Sequence, residues 1–266
     1  MPLTLATWNV NSVRAHAGAV ERFLGEVRPD ILCLQETKVA DGAFPLGLFR
    51  RLGYRHHAVY GQKGYHGVAI FSVKRPLEGP TRKVWCGIAE ARHLYCRIGD
   101  DVELHNFYVP AGGDLPDPAL NPKFRHKLEF MSEVAAWFRR RRRRANRFIL
   151  AGDLNVAPLE TDVWSHKQLL KVVSHTPIEV AHMARWYDSH DWIDAVRLHV
   201  PADERLYSWW SYRARDWEAS DKGRRLDHIW VTPALKDAVL VASVYKQARR
   251  YPSASDHAPV IAKLNL

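Results

Sequence analysis

Apolar positions in this chain gather into short runs, and several of those runs stop at a carboxylate or an amide. Residues 4–9 read as a first strand, left through Val10, Asn11 and Ser12, with Ser12 placed to cap a following helix. Val13, Ala17, Val20, Leu24 and Val27 then recur at helical spacing until Pro29 ends the pattern. A second apolar run, residues 31–34, stops at Gln35, Glu36, Thr37 and Lys38. Residues 54–60 predict an edge strand, 61–67 a turn-rich link and 68–73 a core strand. Residues 94–98 and 102–109 flank Gly99, Asp100 and Asp101, a hairpin signal. The second of these strands ends at Tyr108, Val109 and Pro110 and opens the loop 111–114.

Phe124, Leu128, Met131, Ala135 and Phe138 make the apolar stripe of a long helix that closes in consecutive arginines, Arg139 to Arg144. Cations there oppose the negative end of the helix dipole, so the run reads as a solvated helix end rather than a nucleic-acid clamp. It directly precedes the strand that begins at Phe148, and so belongs at the opposite end from that strand's exit, where Gly152 leads into Asp153 and Asn155. If the strand continues, Asp153 and Asn155 point the same way. A buried carboxylate is costly unless it is paired or metal-bound.

Residues 159–175 form a polar and aromatic connection, and 177–190 a helix with Pro177 at its start. Residues 207–213 are dense in aromatics and lead into a charged loop through Arg225. Residues 226–231 make a strand with Asp227 near its start, 239–246 another, and Ser255, Asp256 and His257 introduce the last run. No linker, repeat or composition shift divides residues 1–266, which are therefore expected to form a single domain.

Composition narrows the class. Of 266 residues, 47% are apolar and 26% charged, the balance of a globular chain with a substantial core. Cys33, Cys86 and Cys96 cannot all pair and carry no metal-ligand spacing, so reduced thiols in a cytoplasmic protein are expected. The opening residues lack a signal peptide's basic region, and no apolar run approaches bilayer length. The net charge of +10 favours a polyanionic partner without choosing among polyanions.

Asn9, Glu36, Asp153 with Asn155, Asp227, and Asp256 with His257 all lie at strand ends or in loops beside strands. Any one acid alone reads as a turn former or a solvated charge; repeated placement of this kind reads as a site. The stretches Thr7-Trp8-Asn9-Val10-Asn11, Leu34-Gln35-Glu36-Thr37-Lys38, Gly64-Tyr65-His66-Gly67-Val68, Gly152-Asp153-Leu154-Asn155, Arg225-Leu226-Asp227 and Ser255-Asp256-His257 occur in that order. In this they resemble the exonuclease III family of apurinic/apyrimidinic endonucleases, within the deoxyribonuclease I-like endonuclease/exonuclease/phosphatase superfamily. The resemblance runs from about Thr4 to the C-terminus. Tyr108-Val109-Pro110 and the tryptophan-rich segment are similar to the DNA-repair branch in particular.

The resemblance implies an α/β four-layer sandwich, two packed mixed or antiparallel sheets flanked by helices. It implies Mg²⁺-dependent hydrolysis of phosphodiesters in duplex DNA, with Mn²⁺ able to substitute. A hard cation held by one or two carboxylates suits an anionic phosphodiester. By resemblance, Glu36 is the first ligand, with Asn9, Asp153, Asn155 and Asp256 completing the metal set. Asp153 orients or deprotonates the attacking water, Asn155 bonds the scissile phosphate, Asp227 holds His257, and Tyr108 lends a phenol. Arg14, Lys38, Lys63, Tyr65 and Arg213 are candidates for DNA contacts, and Trp209 and Trp210 for a pocket around an extrahelical sugar.

The implied partner is double-stranded DNA with abasic sites or blocked 3′ ends, met by a cytoplasmic, nucleoid-associated monomer that binds no membrane. Abasic-site incision, 3′→5′ exonuclease and 3′-phosphatase activity share this chemistry. Ala111 replaces an amide common in relatives, Arg224 replaces a large apolar residue, and the segment 162–167 is bulky. Trp164 and His166 are therefore expected to crowd the groove and favour terminal 3′ ends over internal sites. Rival readings are a superfamily phosphatase acting on inositol or lipid phosphates, and a non-catalytic DNA-binding protein.

Overall fold

The computed structural model describes residues 2–99, 101–214 and 216–266. Met1 and Arg215 lie outside them, as does Asp100 of the hairpin signal. In chain order the elements are β1 (Leu3–Asn9), α1 (Ala17–Val27), β2 (Ile31–Gln35), α2 (Leu46–Arg51), β3 (His56–Tyr60), β4 (Val68–Ser72), β5 (Leu77–Arg82), β6 (His93–Ile98) and β7 (Val102–Tyr108). Then follow α3 (Pro122–Arg141), β8 (Phe148–Asp153), α4 (His166–Leu169), α5 (Pro177–Asp188), β9 (Ile193–Asp194) and β10 (Trp209–Trp210). The last are α6 (Trp217–Ser220), β11 (Gly223–Arg224), β12 (Asp227–Val231), β13 (Val239–Val244) and β14 (Val260–Leu264).

Two six-stranded mixed sheets carry the fold, ordered β13-β14-β1-β2-β4-β3 and β5-β6-β7-β8-β12-β9. In each sheet one parallel pair, β1/β2 or β7/β8, sits among antiparallel neighbours. Leu5, Ile31, Cys33 and Ile70 of the first sheet share a core with Leu104, Ile149, Ala151 and Ile229 of the second. The alternate side chains Ala6, Trp8, Leu32 and Phe71 turn outward onto Val20, Phe23 and Leu24 of α1. Phe107, Leu150 and Trp230 do the same onto Phe124, Met131 and Phe138 of α3 and Trp186 of α5. These central strands are thus buried on both faces, which is why they read as near-continuous apolar runs. The four layers expected from the sequence are present.

Local expectations shift at a few places. Ser12 does not cap α1, which begins at Ala17; its hydroxyl accepts from Ala15 N (3.3 Å) in the turn before it. Asn11 and Ser12 take positive φ (44° and 93°) so that Ser12 N can donate to Glu36 O at 2.7 Å, tying the chain to β2 before the helix starts. The arginine run lies beside the start of β8, away from Asp153, with Arg141 paired to Glu103 at 2.7 Å and Arg142 to Asp191. Cys33, Cys86 and Cys96 are all free thiols. Among the described residues no helix is long and apolar enough to cross a membrane.

Candidate active site

Strand direction gathers the polar residues at one edge. Tyr108, Asp153 and Asp227 stand side by side, because β7 and β8 end in register and β12 begins opposite the end of β8. On the facing sheet β1 ends at Asn9 beside Gln35, with Glu36 next in the chain, and β14 begins three residues after His257. Asn9 closes the gap between sheets: its amide Nδ2 donates to Glu36 Oε1 and to Asp153 Oδ2, both at 2.8 Å.

Gly152 makes the last step of β8 possible. At φ 143° a Cβ there would meet Phe107 O at 2.0 Å, so only glycine lets β7 and β8 stay paired up to Asp153. Past Asp153 the strand does not continue. Asn155 adopts a left-handed backbone (φ 53°), and its N and Nδ2 donate to Asp153 Oδ1 and Oδ2 at 2.9 and 3.2 Å. The two side chains converge through this Asx-type turn, not through strand alternation as the sequence implied.

Glu36 is also left-handed (φ 50°), a costly conformation for a glutamate of the kind that collects at functional sites. Burial opposes its ionisation, but hydrogen bonds from Asn9 and Lys38 outweigh this and hold its pKa below the ordinary carboxylate value. Lys38 lies 2.9 Å from Glu36 Oε2 and also donates to Asn11.

His257 joins the two sheets from the other side. Its Nδ1 lies 2.8 Å from Asp227 Oδ2, which also accepts from Ser208 Oγ at 2.7 Å, and its Nε2 lies 3.8 Å from Asp153 Oδ2. Burial alone would lower the imidazole pKa; Asp227 and then Asp153 reverse this and push it up to about 10, holding the ring as a cation. Asp153 moves up to about 7, chiefly through burial and then through Asp227, against the pull of His257. Tyr108 is buried beside Glu36 and Asp153, and burial above all pushes its phenol well up, keeping it protonated.

Glu36, Asp153 and His257 place one ligand atom each within 4.8 Å of one another. His257 is committed to Asp227 through Nδ1, so the donors that suit a hard cation are the carboxylate oxygens of Glu36 and Asp153. Two adjacent carboxylates, with Glu36 on the groove wall, fit a hard divalent cation such as Mg²⁺. Asn9 turns its N–H groups to the carboxylates, so only its Oδ1, which already accepts from Asn11 N at 3.0 Å, is left for the ligand role expected of it. Asp256 lines the same groove outside the cluster, accepting from Trp209 Nε1 at 2.9 Å and Asn11 Nδ2 at 3.3 Å.

The site opens into a groove of about 700 Å³ whose walls include Trp164, Trp209, Arg213 and Arg224. Arg224 lies over the Trp209 ring at 5.2 Å and donates to Val173 O and Ser174 Oγ. Trp210 points the other way. Successive residues of β10 face opposite sides, and Trp210 is buried against Tyr207, Ala258 and Trp217, so the sugar-pocket expectation fails for it. His166 likewise is absent from the groove wall; it contacts His175 at 2.9 Å and Glu160 at 3.5 Å, leaving Trp164 as the bulky residue of that segment. A second hollow of about 430 Å³ shares Ala111 and Gly113 with the first and is walled by Tyr65, His66, Arg92 and Tyr108. Arg14, Lys63 and Arg213 are exposed and form no ion pair among the described residues. Lys38, by contrast, is engaged with Glu36.

Several residues of this region are silent in the motifs. Ser208 orients Asp227, and Arg92 lies over the Tyr108 ring at 4.9 Å. Nothing in their spacing marks them. Lys127 does carry a signal: it follows Phe124 by three residues and precedes Met131 by four, a lysine on the buried face of α3.

A model of the endonuclease/exonuclease/phosphatase family matches residues 6–257. The exodeoxyribonuclease III of Haemophilus influenzae is 30% identical over 97% of this chain and 98% of its own. Among solved structures, an AP endonuclease from Archaeoglobus fulgidus is 30% identical with a TM-score of 0.91, covering 99% of this chain and 100% of that one. A 3′ phosphatase from Neisseria, bound to product DNA hairpin, is 28% identical with a TM-score of 0.90 over 99% of this chain and 100% of its own.

Proposed function

The chain belongs to the endonuclease/exonuclease/phosphatase family, in its exonuclease III and AP endonuclease branch, and we propose that it is a Mg²⁺-dependent nuclease of duplex DNA. Its substrates are abasic sites and blocked 3′ ends. The observation that carries this reading is Asp153 set between Glu36, Asn9 and the Asp227–His257 pair, directly behind a groove whose wall includes Glu36, His257, Trp209 and Arg224.

In this reading Glu36 and Asp153 hold the cation, which when bound offsets the charge of the phosphate under attack. Asp153, ionised in the working enzyme, accepts the proton of the attacking water. Its two bonds from Asn155 and one from Asn9 fix the direction of the carboxylate. His257, kept cationic by Asp227, donates to a phosphate oxygen as negative charge grows there. Tyr108, held protonated, supplies a hydroxyl at the same edge.

A narrower reading, 3′-end processing without internal incision, is favoured by one observation: Trp164 and Arg224 take up space in the groove beside Trp209. Two end-labelled duplexes separate the readings, one with an internal abasic-site analogue and one with a recessed 3′-phosphate, each with Mg²⁺ or EDTA. Cleavage at the internal site assigns a general abasic-site endonuclease; processing of the 3′ end alone assigns the narrower activity. Hydrolysis of inositol phosphates with both duplexes untouched overturns the nuclease assignment.

A further inference from the structure

We infer that Lys127, with Glu179, is a positioning residue that sets the catalytic geometry from behind the groove. This rests on the nuclease reading above. Both side chains are fully buried, and the Lys127 ammonium bonds the Glu179 carboxylate. A buried ion pair by itself is weak evidence for stability, because desolvating two charges consumes most of their attraction. What distinguishes this pair is where its remaining hydrogen bonds go.

Lys127 Nζ donates to Asn155 O at 2.7 Å and to Ala111 O at 3.3 Å. Glu179 accepts from Ser174 N at 2.9 Å, Thr176 N at 3.1 Å and Thr176 Oγ1 at 2.6 Å. The pair therefore ties together three segments that each line the groove: the loop after β7 with Ala111, the turn after β8 with Asn155, and the approach to α5 with Ser174. The loop after β7 lies directly on the lysine stem, since a Cβ on Gly112 (φ 94°) would meet Lys127 Cδ at 3.0 Å.

The link to the chemistry runs through Asn155. Its carbonyl is held by Lys127, while its N and Nδ2 hold both oxygens of Asp153. Asn155 Nδ2 also donates to Val109 O at 2.9 Å, so the loop after β7 and the turn after β8 share one lock. Fixing the Asn155 peptide fixes the direction of the Asp153 carboxylate. Lys127 touches neither DNA nor the reacting atoms, and so is expected to act on turnover more than on binding.

The test compares Lys127→Met/Glu179→Gln with Lys127→Gln/Glu179→Gln in the full chain; changing both partners avoids stranding one buried charge. The Met/Gln variant is expected to lose about 30-fold in kcat with KM for DNA within about threefold, the size of effect seen for outer-shell partners. The Gln/Gln variant keeps an amide N–H one bond short of the lysine position, close enough to bond Asn155 O after a small shift, and kcat is expected to recover at least about fivefold. A folded Met/Gln variant with wild-type kcat, or equal losses in both variants, overturns the inference. Should Met/Gln fail to fold, Gln/Gln alone decides: lowered kcat with unchanged KM supports the inference, and wild-type kcat overturns it. A wild-type chain that cleaves neither duplex overturns the function. The inference is then decided on Mn²⁺ affinity by calorimetry, which Met/Gln should lower about tenfold and an unchanged affinity would refute.

Discussion

Asp153 and Asp227 stand directly opposite one another on β8 and β12, and the His257 ring lies between their carboxylates. Like charges facing each other across a strand pair are destabilising. Here the imidazolium compensates, and a second carboxylate beside Asp153 becomes a means of holding a proton on histidine. Replacing His257 with Gln should lower kcat about 10²- to 10³-fold, the cost of losing a donor aimed at developing charge. It should also move the acid limb of the pH–rate profile upward, because Asp153 loses its nearest cation. A lowered kcat with an unmoved limb would show that His257 does not act on Asp153.

If Asp153 holds the cation as proposed, it should link metal binding to pH. Its folded-state pKa, about 7, lies above the ordinary aspartate value of 3.8. A group raised in this way contributes its stability below its unfolded pKa and gives it up as pH rises through the folded one. The metal-free protein should therefore lose stability between about pH 4 and 7 from this group, while Mg²⁺, which needs the ionised form, binds more tightly as pH rises through about 7. Calorimetry in buffers of different ionisation enthalpy should detect a proton released per Mg²⁺ at pH 6 and almost none at pH 8.5. Equal release at both values would contradict the raised pKa.

Gly152→Ala should be among the most damaging single-methyl additions in the chain. The new Cβ would collide with the Phe107 carbonyl in a backbone region that suits glycine. Relief requires separating β7 from β8 at the residues that carry Tyr108 and Asp153. A loss of about 2–4 kcal/mol in denaturant unfolding is expected, with activity falling further than stability.

Trp209 and Trp210 should separate binding from folding. Trp209→Ala removes a groove wall and should weaken abasic-site duplex binding about tenfold while leaving thermal stability near wild type. Trp210→Ala empties a buried site and should cost about 3–5 kcal/mol in denaturant unfolding. The reverse assignment of the two losses would mean that β10 presents its other face to the groove.

The sequence by itself determined the central strands, the long helix and most of the acids at the site edge, but not the short or peripheral strands β5, β9, β10 and β11. Those features are written in local periodicity: a strand buried on both faces must be apolar throughout, and a polar group can first appear where it exits. Asn9, Glu36, Asp153, Asp227 and His257 could therefore be picked out individually. The tertiary structure alone decided which groups share bonds. Asn9 reaches Asp153 across 144 positions of chain, which turns its amide N–H groups to the carboxylates of both sheets. Trp210 turns inward and Trp209 outward because β10 pairs with β11, and His166 leaves the groove to meet His175. Lys127 shows the same limit: its place on an apolar stripe signals that it is buried, but only packing brings the Asn155 carbonyl to its ammonium. Periodicity is a property of neighbours in sequence, whereas hydrogen-bond partners are chosen by neighbours in space.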